Sequence, residues 1–180
     1  YYDLKIKNTI YYDNILLYCN NHDHNWRHFI RETFCNLQYF FTMRKKLVNL
    51  KILIPEKCAK HIKEIIDIFN LNNHIIYLKN NYEIYCKKII HGHCNFNFDL
   101  INFFIKKCKN LSEYKDIYFD NLYLSRKHIN IKRNIENNDI FEEFINNNLN
   151  INSIIPENLK LYDQITILNN CKNLITLIGA

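Results

Sequence analysis

Leu122-Tyr-Leu-Ser-Arg126, Ile151-Asn-Ser-Ile-Ile-Pro156-Glu157 and Leu174-Ile-Thr-Leu-Ile-Gly179-Ala180 follow one plan. In each, an apolar run of strand length ends in a polar, basic or turn-forming group. Between them, Asp139–Asn147 and Leu159–Cys171 carry apolar residues at helical spacing. Strands Leu122–Ser125, Ile151–Ile155 and Leu174–Ile178 alternating with helices imply right-handed βαβ units and a parallel sheet. Such sheets bind ligands at the carboxyl ends of their strands, which is where Arg126 and Gly179 fall.

The same alternation extends toward the amino terminus. Tyr11–Cys19 reads as a strand, and Asn25–Lys46 as a helix with Trp26, Phe29, Ile30, Phe34, Leu37, Phe40 and Phe41 on its apolar side. Lys51–Pro55 is a short buried strand stopped by proline. Cys58–Phe69 is an amphipathic helix, His74–Leu78 and Tyr82–Ile90 are strands, and Leu100–Cys108 is a helix. The polar stretch Lys109–Asp120 separates two α/β lobes, residues 1–112 and 113–180.

With 180 residues, 48% of them hydrophobic, the chain can bury a core in each lobe. Asn, Ile, Lys and Tyr are abundant while Gly and Pro number two each, a bias that matches an AT-rich coding sequence. The chain starts at Tyr1 without Met and stops after Gly179-Ala180, which reads as a fragment of a longer protein. No apolar run approaches the about 20 residues of a membrane-spanning helix, although a missing amino terminus leaves room for an anchor. The seven cysteines, Cys19, Cys35, Cys58, Cys86, Cys94, Cys108 and Cys171, are scattered through apolar segments, as expected of reduced thiols in a cytosolic-type compartment. Residues 120–180 hold six Lys/Arg against seven Asp/Glu, so that stretch carries −1 and residues 1–119 carry +7 of the chain total of +6. A basic first half admits a nucleic-acid-binding domain as one reading, but its lysines are spread along helix faces rather than gathered into a patch.

Two glycines, Gly92 and Gly179, exclude both the Gly-x-Gly-x-x-Gly dinucleotide turn and the P-loop. A bound phosphate must then be held by side chains and helix N-termini. His28 and Glu32 lie one helical turn apart opposite the aromatic stripe; they form either a general-base pair, with the carboxylate orienting the imidazole, or a solvated surface pair. Arg126 and Arg133 flank a loop that ends at Asn137-Asn138-Asp139, the start of the next helix. Two guanidinium groups with a helix N-terminus can grip a diphosphate, or they are solvated residues of a linker. Gln164 is placed to cap its helix or to meet a ligand. His22-Asp-His24 and His91-Gly-His93-Cys94 lack the second pair of ligands that a tetrahedral metal site requires.

In their order, these pieces resemble the family 61 glycosyltransferases, which include capsular-polysaccharide-type enzymes and eukaryotic xylosyl-, arabinosyl- and N-acetylglucosaminyltransferases. Asn25-Trp-Arg-His28-Phe29 with Glu32 is similar to the family's Asn-Tyr-x-His-Phe/Trp stretch followed by Glu. Leu122–Arg126 is similar to its strand ending Ser-Arg, and Lys132-Arg133-Asn-Ile-Glu-Asn137 to its Arg-Arg-x-x-x-Asn-Glu. Pro156-Glu157, Leu161 and Gln164 resemble its Pro-Glu, Leu and Glu-Gln, and Gly179-Ala180 the start of its His-Gly-Ala-Gly segment. Asn138 stands where the family usually has Glu, Thr176 where Gly or Ser is common, and Ile178 where His is typical.

The resemblance implies a GT-B fold of two Rossmann-like lobes, the second incomplete, with the active site in the cleft between them. It implies transfer of a sugar from a nucleotide sugar to a glycan or glycoprotein acceptor with inversion and without an essential metal or other cofactor. His28 and Glu32 would be catalytic, and Arg126, Arg133, Asn137, Gln164 and Gly179 would face the donor, with no nucleic-acid partner. Ile178 favours the competing reading, a non-catalytic binding or scaffold module derived from such an enzyme.

Overall fold

The computed structural model describes residues 8–18, 33–79, 82–92, 97–125 and 137–176. The chain divides into two compact α/β units, residues 1–102 and 103–180. Each is built on its own parallel sheet.

In the first unit, strands β1 (Asn8–Leu17), β2 (Leu50–Pro55), β3 (Ile75–Leu78) and β4 (Tyr82–Ile90) lie in the order β3-β2-β1-β4, all parallel. Parallel strands covered on both faces read as unbroken apolar runs rather than as alternation. Ile15 and Leu16 of β1 and Ile52, Leu53 and Ile54 of β2 are accordingly buried. Helix α1 (Leu37–Met43) follows a 3₁₀ turn at Phe34–Asn36. It stops before Lys46 because residues 44–49 form turns that end at Asn49 in the left-handed region, φ 57°.

Helix α2 (Lys60–Ile68) buries Ile62, Ile65, Ile66 and Ile68. It begins two residues after Cys58, because Ala59 is extended at ψ 150°. At its other end Asn70 takes φ 56°, with Asn70 N–H on Asp67 O at 3.0 Å and Leu71 N–H on Ile66 O at 2.9 Å. This is a Schellman cap with Asn in the place glycine usually holds. All four non-glycine residues with positive φ among the described residues are asparagines: Asn49, Asn70, Asn137 and Asn150. Asn tolerates this conformation better than other side-chain-bearing residues. A chain with two glycines uses its asparagines to turn.

Gly92 needs its missing side chain for a different reason. A Cβ there would overlap the Tyr39 ring and come within 2.6 Å of Asn36 Oδ1.

In the second unit, β5 (Phe119–Leu124) lies between β6 (Asn152–Ile154) and β7 (Cys171–Ile175), all parallel. Helix α3 (Phe98–Leu111) runs across the division between the units, and its residues Leu100, Phe104 and Cys108, one turn apart, are buried. Helix α4 (Asn138–Leu149) connects β5 to β6, and a 3₁₀ turn at Pro156–Asn158 with helix α5 (Leu161–Asn169) connects β6 to β7. The core holds Leu122, Tyr123, Ile145, Ile151, Leu161 and Ile167.

Buried polar groups tie the second unit together. Ser112 Oγ donates to Asp163 Oδ1 at 2.6 Å and accepts Tyr114 N–H at 3.1 Å. Asn170 donates its side-chain amide to the carbonyls of Tyr114 (3.2 Å), Lys115 (3.2 Å) and Ile117 (3.1 Å), while its own backbone carbonyl accepts Phe119 N–H at 3.1 Å. This arrangement corrects the expected end of the chain. The helix stops at Asn169 rather than Cys171, and the strand runs over Cys171–Ile175 rather than Leu174–Ile178. Backbone pairing of Cys171 with Phe119 and of Asn173 with Asn121 sets the start of the strand, despite polar side chains there.

Candidate functional site

β5 is the central strand of its sheet. The chain leaves it to form β6 on one side and later returns to form β7 on the other. Where strand order reverses in this way, the loops diverge and leave a crevice at the carboxyl ends. Leu122 is level with Asn152 and Leu174, and Leu124 with Ile154, so the three strands end together. From these ends the chain passes to Arg126, to Pro156-Glu157 and Gln164, and to Gly179. The described ends of β5, β6 and β7 thus share one edge of the sheet.

Ser125 fixes the first of these exits. It is fully buried, and its N–H extends the ladder by donating to Ile154 O at 2.8 Å. Its hydroxyl donates to Glu142 Oε1 on α4, and the Asn138 side-chain amide donates to the same oxygen. The Asn138 side-chain carbonyl in turn accepts the Tyr123 hydroxyl at 3.2 Å. Tyr123 is buried with its ring edge-on to Phe141, centroids 5.4 Å apart. Burial pushes its phenol above its ordinary pKa, and the Glu142 charge adds to the shift. The phenol therefore stays a proton donor at neutral pH.

This network joins the end of β5 to the first turns of α4, where Asn137 sits at the helix start with φ 60°. Asn137 is the one candidate of the segment Arg126–Asn137 that lies within the described residues. Asp139 in the first turn and Glu142 one turn on give the frame negative charge. An anion held beside it needs compensating cations, and Arg126, Lys127, Lys132 and Arg133 all lie in the connecting segment. Gln164, half-buried on α5, donates through Nε2 to Leu159 O at 3.1 Å and so closes the turn before its helix.

His28, Glu32, Arg126, Arg133 and Gly179 lie outside the described residues. So do Ile178, and His22, His24, His93 and Cys94 of the metal-like clusters. Among the described residues no group of three or more His, Cys, Asp or Glu side chains is placed to hold a metal. Likewise, no helix among them is long and apolar enough to cross a membrane. The pKa of the Cys108 thiol, buried in α3, is pushed up to about 12, chiefly by burial, and the thiol stays protonated.

The family model for Glycosyltransferase 61 matches residues 26–180. The chain belongs to glycosyltransferase family 61. Comparison with curated proteins and with solved structures returned no match. The family match begins just before His28 and takes in every site candidate and most of both sheets.

Sequence reading passed over Glu142 and the links through Tyr123, Ser125 and Asn138. Glu142→Ala removes the acceptor of two side-chain donors, one of them on fully buried Ser125. Its expected cost is about 1–3 kcal/mol, read by denaturant unfolding, because the buried Ser125 hydroxyl and the half-buried Asn138 amide lose a shared charged acceptor. A Glu142→Ala protein as stable as the wild type would show that the network does not hold β5 to α4.

Proposed function

We propose that this family 61 protein is an inverting GT-B glycosyltransferase that moves a sugar from a nucleotide-sugar donor to a glycan or glycoprotein acceptor. The reading is carried by the family match together with the strand-order reversal at β5, whose exit leads directly into Arg126 and on to Arg133.

Inversion follows from a single displacement. The acceptor oxygen attacks the anomeric carbon from the face opposite the diphosphate; the new C–O bond forms as the bond to the diphosphate oxygen breaks. The acceptor proton passes to a base, and negative charge grows on the departing diphosphate. His28 takes the role of base, since an imidazole titrates near neutral pH, and Glu32 one turn away orients it. Arg126 and Arg133 meet the diphosphate through paired charge-assisted hydrogen bonds, with Asn137 and the α4 N-terminus as neutral donors. Gln164 supplies an amide from the neighbouring strand exit, and Gly179 allows close approach of backbone to ligand. With two guanidinium groups on the leaving group, the scheme requires no metal.

The test is transfer from a panel of uridine, guanosine and cytidine nucleotide sugars by the full-length protein, with the product's anomeric configuration read by proton NMR. The expected result is inversion, with kcat for His28→Ala lowered about 10²–10⁴-fold and nucleoside diphosphate affinity unchanged. A product of retained configuration, or a His28→Ala variant with wild-type kcat, would overturn this scheme.

A further inference from the structure

The first unit carries a concave feature away from its strand ends. Tyr11 of β1 and Tyr85 of β4 are register partners, their ring centroids 5.4 Å apart and their planes tilted by 28°. Tyr11 is 75% exposed and Tyr85 52%, whereas Tyr18, just past the end of β1, is completely buried. Two residues along each strand, on the same face, Lys87 Nζ donates to Asp13 Oδ1 at 2.6 Å. These four residues, with Asn49 and Lys51, line a cavity of about 680 Å³. That volume falls within the range of small-molecule sites, about 300–1,000 Å³. Lys51 is held in place by donating to Asn73 O at 2.9 Å.

The lining sets the chemistry of the ligand. Two flat rings present electron-rich faces, which attract polarised C–H groups. Around them stand a carboxylate acceptor, an amide and two ammonium donors. A pyranose has both halves of this pattern, a C–H face and a rim of hydroxyls that donate and accept. A nucleic-acid backbone fits less well, because Asp13 neutralises Lys87 and leaves Lys51 as the remaining cation of the lining among the described residues. The family acts on sugars.

We propose that the Tyr11–Tyr85 pair is a carbohydrate-binding subsite that grips a sugar residue of the acceptor glycan away from the transfer centre. The word acceptor rests on the transferase reading; carbohydrate binding does not. Tyr11 lies six residues before the carboxyl end of β1 at Leu17, about 20 Å at 3.3 Å per residue. The subsite therefore stands apart from the carboxyl edge of its own sheet.

The experiment titrates the full-length protein, without donor, with neutral tetrasaccharides of glucose, xylose and N-acetylglucosamine, and follows heat and tyrosine absorbance. At least one is expected to bind saturably, with Tyr11→Ala and Tyr85→Ala each weakening it about three- to tenfold and Tyr85→Phe binding as the wild type does. Both rings are exposed, so these variants are expected to fold, which circular dichroism checks. Absence of saturable binding across the panel, or equal binding by the alanine variants, would overturn the subsite. Transfer separates this outcome from the fate of the transferase reading. Sugar binding lost in the alanine variants of a protein that transfers nothing leaves the subsite standing and removes the transferase. Transfer to tetrasaccharides with the same KM in Tyr85→Ala removes the acceptor subsite alone.

Discussion

An Arg126→Ala variant is expected to transfer sugar about 10²–10³-fold more slowly than the wild type, a loss of about 3–4 kcal/mol of transition-state stabilisation. Ser125 is fully buried, with its N–H on Ile154 and its hydroxyl on Glu142, so the backbone is anchored up to the residue before the arginine. An anchored start limits the conformations the guanidinium must give up to meet a diphosphate, and preorganised donors stabilise developing charge most effectively. Arg126→Lys keeps the charge but loses the two-pronged geometry, so only part of the rate should return. Because the effect is electrostatic at the leaving group, thermal stability should stay within about 0.5 kcal/mol of the wild type. An Arg126→Ala enzyme with unchanged kcat/KM would remove this residue from the donor side.

The second large effect is expected in stability. Asn170→Ala should destabilise the protein by about 3 kcal/mol, lowering the melting temperature by about 6–12 °C for a chain of this size. One buried amide serves three carbonyls of residues 114–117 and sits at the point where α5 ends and β7 begins. Removing it leaves those acceptors without their donor. Asn170→Asp, which has almost the same shape, should be at least as harmful, because it turns a carboxylate oxygen toward the carbonyls. Asn169, next to it and exposed, is the control: it reaches the Asn170 side chain only through a long hydrogen bond of 3.5 Å, and its replacement by Ala should change little. If Asn170→Asp were as stable as the wild type, packing volume rather than hydrogen bonding would explain the position.

These predictions also mark what the sequence made legible. Lys51–Pro55 and Leu122–Ser125 were readable as buried strands because parallel strands covered on both faces leave an unbroken apolar run, and α2 because its isoleucines recur at helical spacing. The last strand was misplaced by three residues. Its position is set by backbone pairing of Cys171–Asn173 with β5, which ignores side-chain polarity, and not by the apolar run Leu174–Ile178. The strand alternation behind the second unit's sheet, in which β5 lies between β6 and β7, was legible from the sequence, whereas Arg126 and Gly179 lie outside the described residues. The Tyr123–Asn138–Glu142–Ser125 network was not legible, since its members are spread over about twenty residues and none is unusual locally. Asparagine was the most misleading residue type. Its abundance reads as compositional bias, yet Asn49, Asn70, Asn137 and Asn150 make left-handed turns and Asn170 holds a loop to a sheet.

The central claim is that the carboxyl edge of the β5 sheet receives the nucleoside diphosphate of a sugar donor. It is tested most directly by titrating the isotope-labelled full-length protein with uridine, guanosine and cytidine diphosphates while following backbone amide resonances. The account predicts saturable shifts with at least one of them, centred on Ser125, Asn137 and Asn138 and abolished in Arg126→Ala, with Tyr11 and Tyr85 unmoved. Saturable binding that leaves Ser125, Asn137 and Asn138 unshifted, or no binding of any of the three, would contradict it.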